Sequence, residues 1–115
     1  MHREGIDSEN VLPEDILCDY CGEAAWSKSQ PCIEGHQGSI VCGSCLTMAY
    51  KELVLANNKE HQTEEKCRMC LEHRDDPVWL GTIEPNAPIC RRCVKQSAGA
   101  LTKSKHWDWS KPTEP

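Results

Sequence analysis

Four Cys-x-x-Cys pairs set the organisation of this chain: Cys18/Cys21, Cys42/Cys45, Cys67/Cys70 and Cys90/Cys93. Twenty residues separate the first two pairs and nineteen the last two. Each half therefore has the form C-x2-C-x~20-C-x2-C, a spacing that suits four thiolates closing a tetrahedron around one zinc ion. Two residues between sulfurs let the backbone wrap as a tight knuckle, and the longer intervening segment lets a second knuckle complete the site. Cys18, Cys21, Cys42 and Cys45 are the expected ligands of one ion, and Cys67, Cys70, Cys90 and Cys93 of a second, giving two zinc ions per chain. Four thiolates also hold iron, so the spacing alone leaves that metal open. With four sulfurs filling zinc's positions, no place remains for a reactive water, and the expectation is a structural rather than a catalytic metal.

Composition says why such a chain needs metal. It has 115 residues, is 38% hydrophobic and contains no Phe. Two units of about fifty residues with so little apolar material are each marginal without a staple. Disulfides are the rival staple. The start of the chain lacks a cationic stretch followed by an apolar run, so we expect no secretory signal and reduced, metal-available thiols in the cytoplasm. No apolar run approaches the ~20 residues that span a bilayer. A thioredoxin-like redox pair is a weaker reading, because no strand–helix–strand pattern surrounds any of the pairs.

The formal charge is −5. Each zinc held by four thiolates carries a net −2, which takes the loaded protein to about −9. That balance disfavours a general nucleic-acid binder. The charge is uneven, however: Arg91, Arg92, Lys95, Lys103 and Lys105 fall in an acid-free stretch. They are the candidate contacts if nucleic acid is bound, although cations beside a helix C-terminus or an anionic metal site have a local electrostatic role too.

The halves align beyond their cysteines. Ile33-Glu34-Gly35-His36 and Ile83-Glu84-Pro85-Asn86 precede the second knuckles, and Ile40-Val41-Cys42 and Pro88-Ile89-Cys90 run into them. Gly35, Gly38, Pro85 and Asn86 supply turn chemistry. The pattern predicts a β-hairpin in each half, with Trp26 and Ile33, or Trp79 and Ile83, packing on it. Leu46, Ala49, Tyr50, Leu53 and Val54, then Val94, Ala98 and Leu101, recur at helical spacing and predict a helix starting at each second knuckle. Gly99 weakens the second of these. The self-similarity favours consecutive closure, each half holding its own metal, over the interleaved closure of RING domains. The expected architecture is a small, metal-stabilised α+β protein made of two treble-clef zinc fingers in tandem: knuckle, hairpin, helix.

On these residues (Cys18-Asp-Tyr-Cys-Gly, a hairpin through Gly-Ser-Ile-Val-Cys42, Cys45 and the amphipathic helix), the first half resembles the zinc-binding domain of the ClpX protein unfoldase. The second half, Cys67-Arg-Met-Cys to Cys90-Arg-Arg-Cys, is similar but more divergent. The likeness covers 16–57 well and 65–104 moderately. It implies the same two ligand sets and a module that dimerises and captures substrates or adaptor proteins. These 115 residues hold no Gly-Lys-Ser/Thr phosphate loop, so the unfoldase activity of that family is not expected to carry over.

The expected organisation is an acidic arm (1–15), a first four-cysteine finger (16–58), a linker (59–65), a second four-cysteine finger (66–105) and a tail with Trp107 and Trp109 (106–115). In the tail, period-two spacing suggests a strand whose indoles cover the protein's own core. Cys32, the ninth cysteine, reads as a small buried hydrophobe, or else as a thiol able to exchange into the first site. His2, His36, His61, His73 and His106 have no ligand spacing and are expected in solvent. The functional expectation is a non-enzymatic zinc protein that binds other proteins, the candidate partners being proteolytic machinery, its substrates, a second copy, or one finger pairing with the other within the chain. The alternatives are a nucleic-acid-binding zinc protein and a thiol-based redox or metal sensor.

Overall fold

The computed structural model describes residues 16–23, 31–36, 39–60, 63, 65–73, 76–83, 86–104 and 109–113. The arm at 1–15, Trp26, Gly38, Pro85, Lys105 and Trp107 lie outside the described residues, as do His2, His61 and His106.

Each half folds as a knuckle, a two-stranded antiparallel hairpin and a helix. In the first half, β1 (Cys32–Glu34) pairs with β2 (Ile40–Cys42) in the register Cys32↔Cys42, Ile33↔Val41, Glu34↔Ile40. The loop closes through Gly35 N–H to Ser39 O (2.7 Å) and Ser39 Oγ to His36 O (2.8 Å). In the second, β3 (Val78–Leu80) pairs with β4 (Pro88–Cys90), Trp79 lying opposite Ile89. Here Asn86 takes the left-handed conformation (φ 59°) and its amide nitrogen donates to Gly81 O (2.7 Å).

This register corrects one detail of the sequence alignment. The residues equivalent to Ile33-Glu34-Gly35 are Trp79-Leu80-Gly81, and Ile83 falls in the loop, 36% exposed. The β3–β4 loop is two residues longer than the β1–β2 loop. Matching Ile83 to Ile33 by residue type therefore lands in the longer loop, whereas Val-Trp-Leu has the branched and aromatic side chains that a pleated, half-buried strand favours.

Helix α1 (Gly43–Tyr50) begins directly after Cys42 and runs into one π-helical turn, Lys51–Leu55, closed by Ala56 N–H to Lys51 O (2.8 Å). Asn57 then adopts φ 52° and ends the run, as asparagine does at helix C-termini. Leu46, Ala49 and Leu53 are buried, with Tyr50 and Val54 packed at the edge of the core. Helix α2 (Arg91–Lys103) passes through Gly99 unbroken and buries Val94, Ser97, Ala98 and Leu101.

The two halves share one apolar core, and α1 packs against α2. Their contacts repeat in an approximately two-fold manner. His36 N–H donates to Met69 O in the second knuckle (2.9 Å), and Thr82 N–H donates to Tyr20 O in the first (2.7 Å). Tyr20 and Met69 hold the same place in the two Cys-x-x-Cys motifs, as do Asp19 and Arg68, which meet as an ion pair (3.5 Å). Two glycines allow this approach. A Cβ at Gly35 would lie 2.7 Å from Met69 O, and one at Gly81 would lie 2.7 Å from Tyr20 O.

Candidate metal centres

Cys18 and Cys21 come from the first knuckle, Cys42 caps the N-terminus of α1, and Cys45 lies in its first turn. The second half repeats this with Cys67, Cys70, Cys90 and Cys93, the last in the first turn of α2. Within each set, all four sulfurs lie within 4.8 Å of one another. Closure is thus consecutive, one set per half, and not interleaved.

The knuckles need a left-handed residue directly after their second cysteine. Gly22 supplies it at φ 75°, with its N–H on Cys18 O (2.9 Å). In the second knuckle Leu71 does so at φ 59°, with its N–H on Cys67 O (2.8 Å). A leucine held there costs about 1–2 kcal/mol, so the surrounding contacts must hold the knuckle shut.

The donor set and its spacing fit zinc. Cys18 and Cys45, Cys21 and Cys42, and Cys67 and Cys93 are each 3.8 Å apart. A tetrahedron with ~2.3 Å metal–sulfur bonds has edges of about 3.8 Å. A disulfide would need about 2.05 Å, and all nine cysteines are free thiols. Backbone amides converge on the same sulfurs: Tyr20 and Cys42 N–H on Cys18 Sγ (3.3 and 3.4 Å), and Cys90 N–H on Cys67 Sγ (3.4 Å). Donors aimed at sulfur favour the thiolate. The two clusters therefore form two four-cysteine sites suited to two zinc ions per chain.

Without a metal, sulfurs this close share protons. Hydrogen bonds from Cys42 and then Cys45 hold Cys18 far below an ordinary thiol, at about 2. Its partner Cys42 is pushed up to about 12, chiefly by the bond to Cys18, and Cys45 is pushed up by Cys18 and Cys42. The second site behaves alike: Cys67 is pulled down by Cys90 and Cys93, Cys90 is pushed up to about 12 by Cys67, and Cys93 is pushed up by both. Four sulfurs this close ionise together only around a cation, and a divalent metal reverses the proton-holding bias.

Cys32 lies opposite Cys42 in the hairpin but outside the four-sulfur cluster. Burial, with Cys18 and Glu34 nearby, pushes its thiol up. Val78, a buried aliphatic side chain, takes the same place in the second half. His36 and His73 are exposed and join neither cluster. Trp109 packs against the core, donating its indole N–H to Thr47 Oγ1 (3.0 Å) and Gly43 O (3.3 Å) at the start of α1.

The basic residues of α2 diverge. Arg91 turns inward, its Nε donating to Leu53 O (3.1 Å) at the end of the first half's helix. Arg92 Nη1 lies 3.9 Å from Glu72, and its backbone N–H donates to Asp76 (3.1 Å). Lys95 and Lys103 are exposed.

Sequence reasoning did not find Tyr20. It is fully buried, donates its hydroxyl to Pro88 O (3.1 Å), and packs its ring 6.1 Å from Trp79. Burial, and after it Cys67, pushes the phenol pKa up, so it acts as a neutral donor. The available signal was its place between the knuckle cysteines, matched by Met69 in the repeat.

No family model, no curated protein and no solved structure matches this chain. No helix among the described residues is long and apolar enough to cross a membrane.

Proposed function

We propose that this chain is a non-enzymatic, zinc-held protein-interaction module of the reducing cytoplasm. The observation that carries this reading is the pair of closed four-cysteine sites. Four thiolates satisfy zinc's tetrahedral demand, so the metal supplies folding energy rather than a reactive position. Nine free cysteines fit a compartment that keeps thiols reduced. The resemblance to ClpX-type zinc domains, which capture substrates and adaptors, supports protein binding over other uses. So does the exposure of Met48, Leu80 and Ile83, large apolar side chains left at the surface.

The nucleic-acid reading draws less support. Arg91 is committed to Leu53 O, and Arg92 has acidic neighbours. A contiguous phosphate-binding face would need these cations free and aligned.

The test has two stages. Elemental analysis of the purified chain should give two zinc ions per molecule. Crosslinking in cell extract should then yield a discrete protein adduct with the zinc-loaded chain and none with the chelated chain. Recovery of nucleic acid that is lost on neutralising Lys95 and Lys103 would overturn the reading.

A further inference from the structure

A cleft of about 260 Å³ opens where the β1–β2 loop of the first half meets α2 and the second knuckle. It is smaller than the roughly 300–1,000 Å³ of sites that enclose whole small molecules, so its size suits a single side chain. Its polar lining comes from Glu34, His36, Gln96 and Ser97, and two cysteines of the second metal site, Cys70 and Cys93, line it too. Ile33, Met69 and Ala100 supply the apolar part of the wall.

Charge and hydrogen bonding select the occupant. Among the described residues no lysine or arginine lines the cleft, and the one carboxylate on its wall is that of Glu34. With zinc bound, the adjoining four-cysteine site adds a net −2. The Ser97 hydroxyl belongs to a residue only 6% exposed and forms no hydrogen bond with any described residue. A hydroxyl at the wall of a cleft with no partner among the described residues is open to a ligand in place of water. Carboxylate, hydroxyl, amide oxygen and thiolate are all acceptors, and a guanidinium offers five donors on an apolar stem.

The repeat supplies an internal comparison. The counterpart position pairs the β3–β4 loop with α1. There Leu80 stands for Glu34, Met48 for Gln96 and Ala49 for Ser97, judged by register and by spacing from Cys45 and Cys93. The fold thus builds the same junction from apolar residues in one place and acceptors in the other. Packing does not demand Glu34, Gln96 or Ser97.

We propose that this cleft is a binding site for an arginine side chain of a partner protein. The proposal rests on the protein-interaction reading and names the chemistry that the partner presents. The test is a titration of the zinc-loaded, 15N-labelled full chain with N-acetyl-Gly-Arg-Gly-Gly-amide, alongside the citrulline and lysine versions. Saturable shifts are expected at the amides of Gly35, Gln96 and Ser97 with the arginine peptide, weaker ones with lysine, and none with citrulline. Glu34→Gln should weaken binding at least about tenfold. Ser97→Ala should weaken it about fivefold, and Met48→Gln should leave it unchanged. Absence of shifts at these amides, or equal shifts with citrulline, overturns the assignment. The crosslinking result is independent of this titration, so failure of the cleft and failure of the broader reading are told apart.

Discussion

Replacing Gly81 by alanine tests whether the halves are held by direct backbone contact or only by their metals. A Cβ there would sit 2.7 Å from Tyr20 O, 2.9 Å from its Cα and 3.2 Å from its carbonyl carbon. All three neighbours are backbone, so no side chain can swing away. Relief requires the β3–β4 loop to move off the first knuckle, which stretches the 2.7 Å hydrogen bond from Thr82 N–H to Tyr20 O. Overpacking of this kind costs about 1–3 kcal/mol. The weakened hydrogen bond adds about 0.5–1.5 kcal/mol. Against these, alanine lowers the entropy of the unfolded chain and returns about 0.4–1 kcal/mol. The net expectation is a loss of about 1–3 kcal/mol. Denaturant unfolding at a fixed free-zinc concentration measures it, with metal buffered because bound zinc itself shifts the midpoint. Zinc content should stay at two per chain, since every ligand of each site comes from its own half. A loss below about 0.5 kcal/mol would refute the steric argument, and loss of one zinc would refute the separation of interface from metal sites.

Four further outcomes are expected. Gly99→Ala should stabilise by about 0.5–1 kcal/mol, read from the thermal midpoint, because Gly99 lies inside α2 and a Cβ there meets nothing within 4 Å. Tyr20→Phe should destabilise by about 1 kcal/mol in denaturant melts. The loss stays modest because Pro88 O keeps its second donor, Arg68 N–H at 2.9 Å. Zinc affinity should climb steeply with pH. Cys42 and Cys45 are both pushed up and hold protons that zinc must expel, as are Cys90 and Cys93. Once zinc-bound, the thiolates sit below their unfolded pKa of about 8.5, so metal-dependent stability is present above that value and is lost as pH falls. Competition titrations with a chromogenic chelator should show log K rising by about three to four per pH unit near pH 7 for each site, since four thiols lose their protons to bind one zinc; a slope under about two would refute the proton accounting. Chelation at neutral pH should remove most of the helical circular dichroism.

Local features are legible in the sequence because they are periodic or adjacent to ligands. The sulfur spacing marks both sites. The stripes at Leu46, Ala49 and Leu53 and at Val94, Ala98 and Leu101 mark both helices. What escapes is non-local. The pattern sets Trp79 beside the hairpin rather than within it, because loop length is not encoded in any period. The π-helical turn at 51–55 leaves no hydropathic trace distinct from an α-helix. Arg91 reads as part of a basic run, yet its partner is a backbone carbonyl thirty-eight residues away. Tyr20, Gly35 and Gly81 carry the contact between halves, and each looks locally like an ordinary knuckle or turn residue. Only aligning the two halves against each other exposes them: Tyr20 with Met69, and Gly35 with Gly81.

The repeat explains why two such units occur together. Each half closes its own metal site but not its own apolar surface. Tyr20, beside the first sulfur cluster, is covered by Trp79 and Pro88 of the second half. Met69, beside the second cluster, receives the loop of the first. A unit of this size that buries few large side chains is marginal when isolated. Docking two copies head to head lets each knuckle become core for the other without adding residues. Zinc then fixes local geometry, and the approximately two-fold contact supplies the burial that zinc cannot. Because one chain carries both copies, their facing surfaces are free to diverge: Asp19 against Arg68 gains an attraction that two identical knuckles could not have. A homodimer of either half would set aspartate against aspartate or arginine against arginine, so the same pair that joins the halves disfavours their self-association.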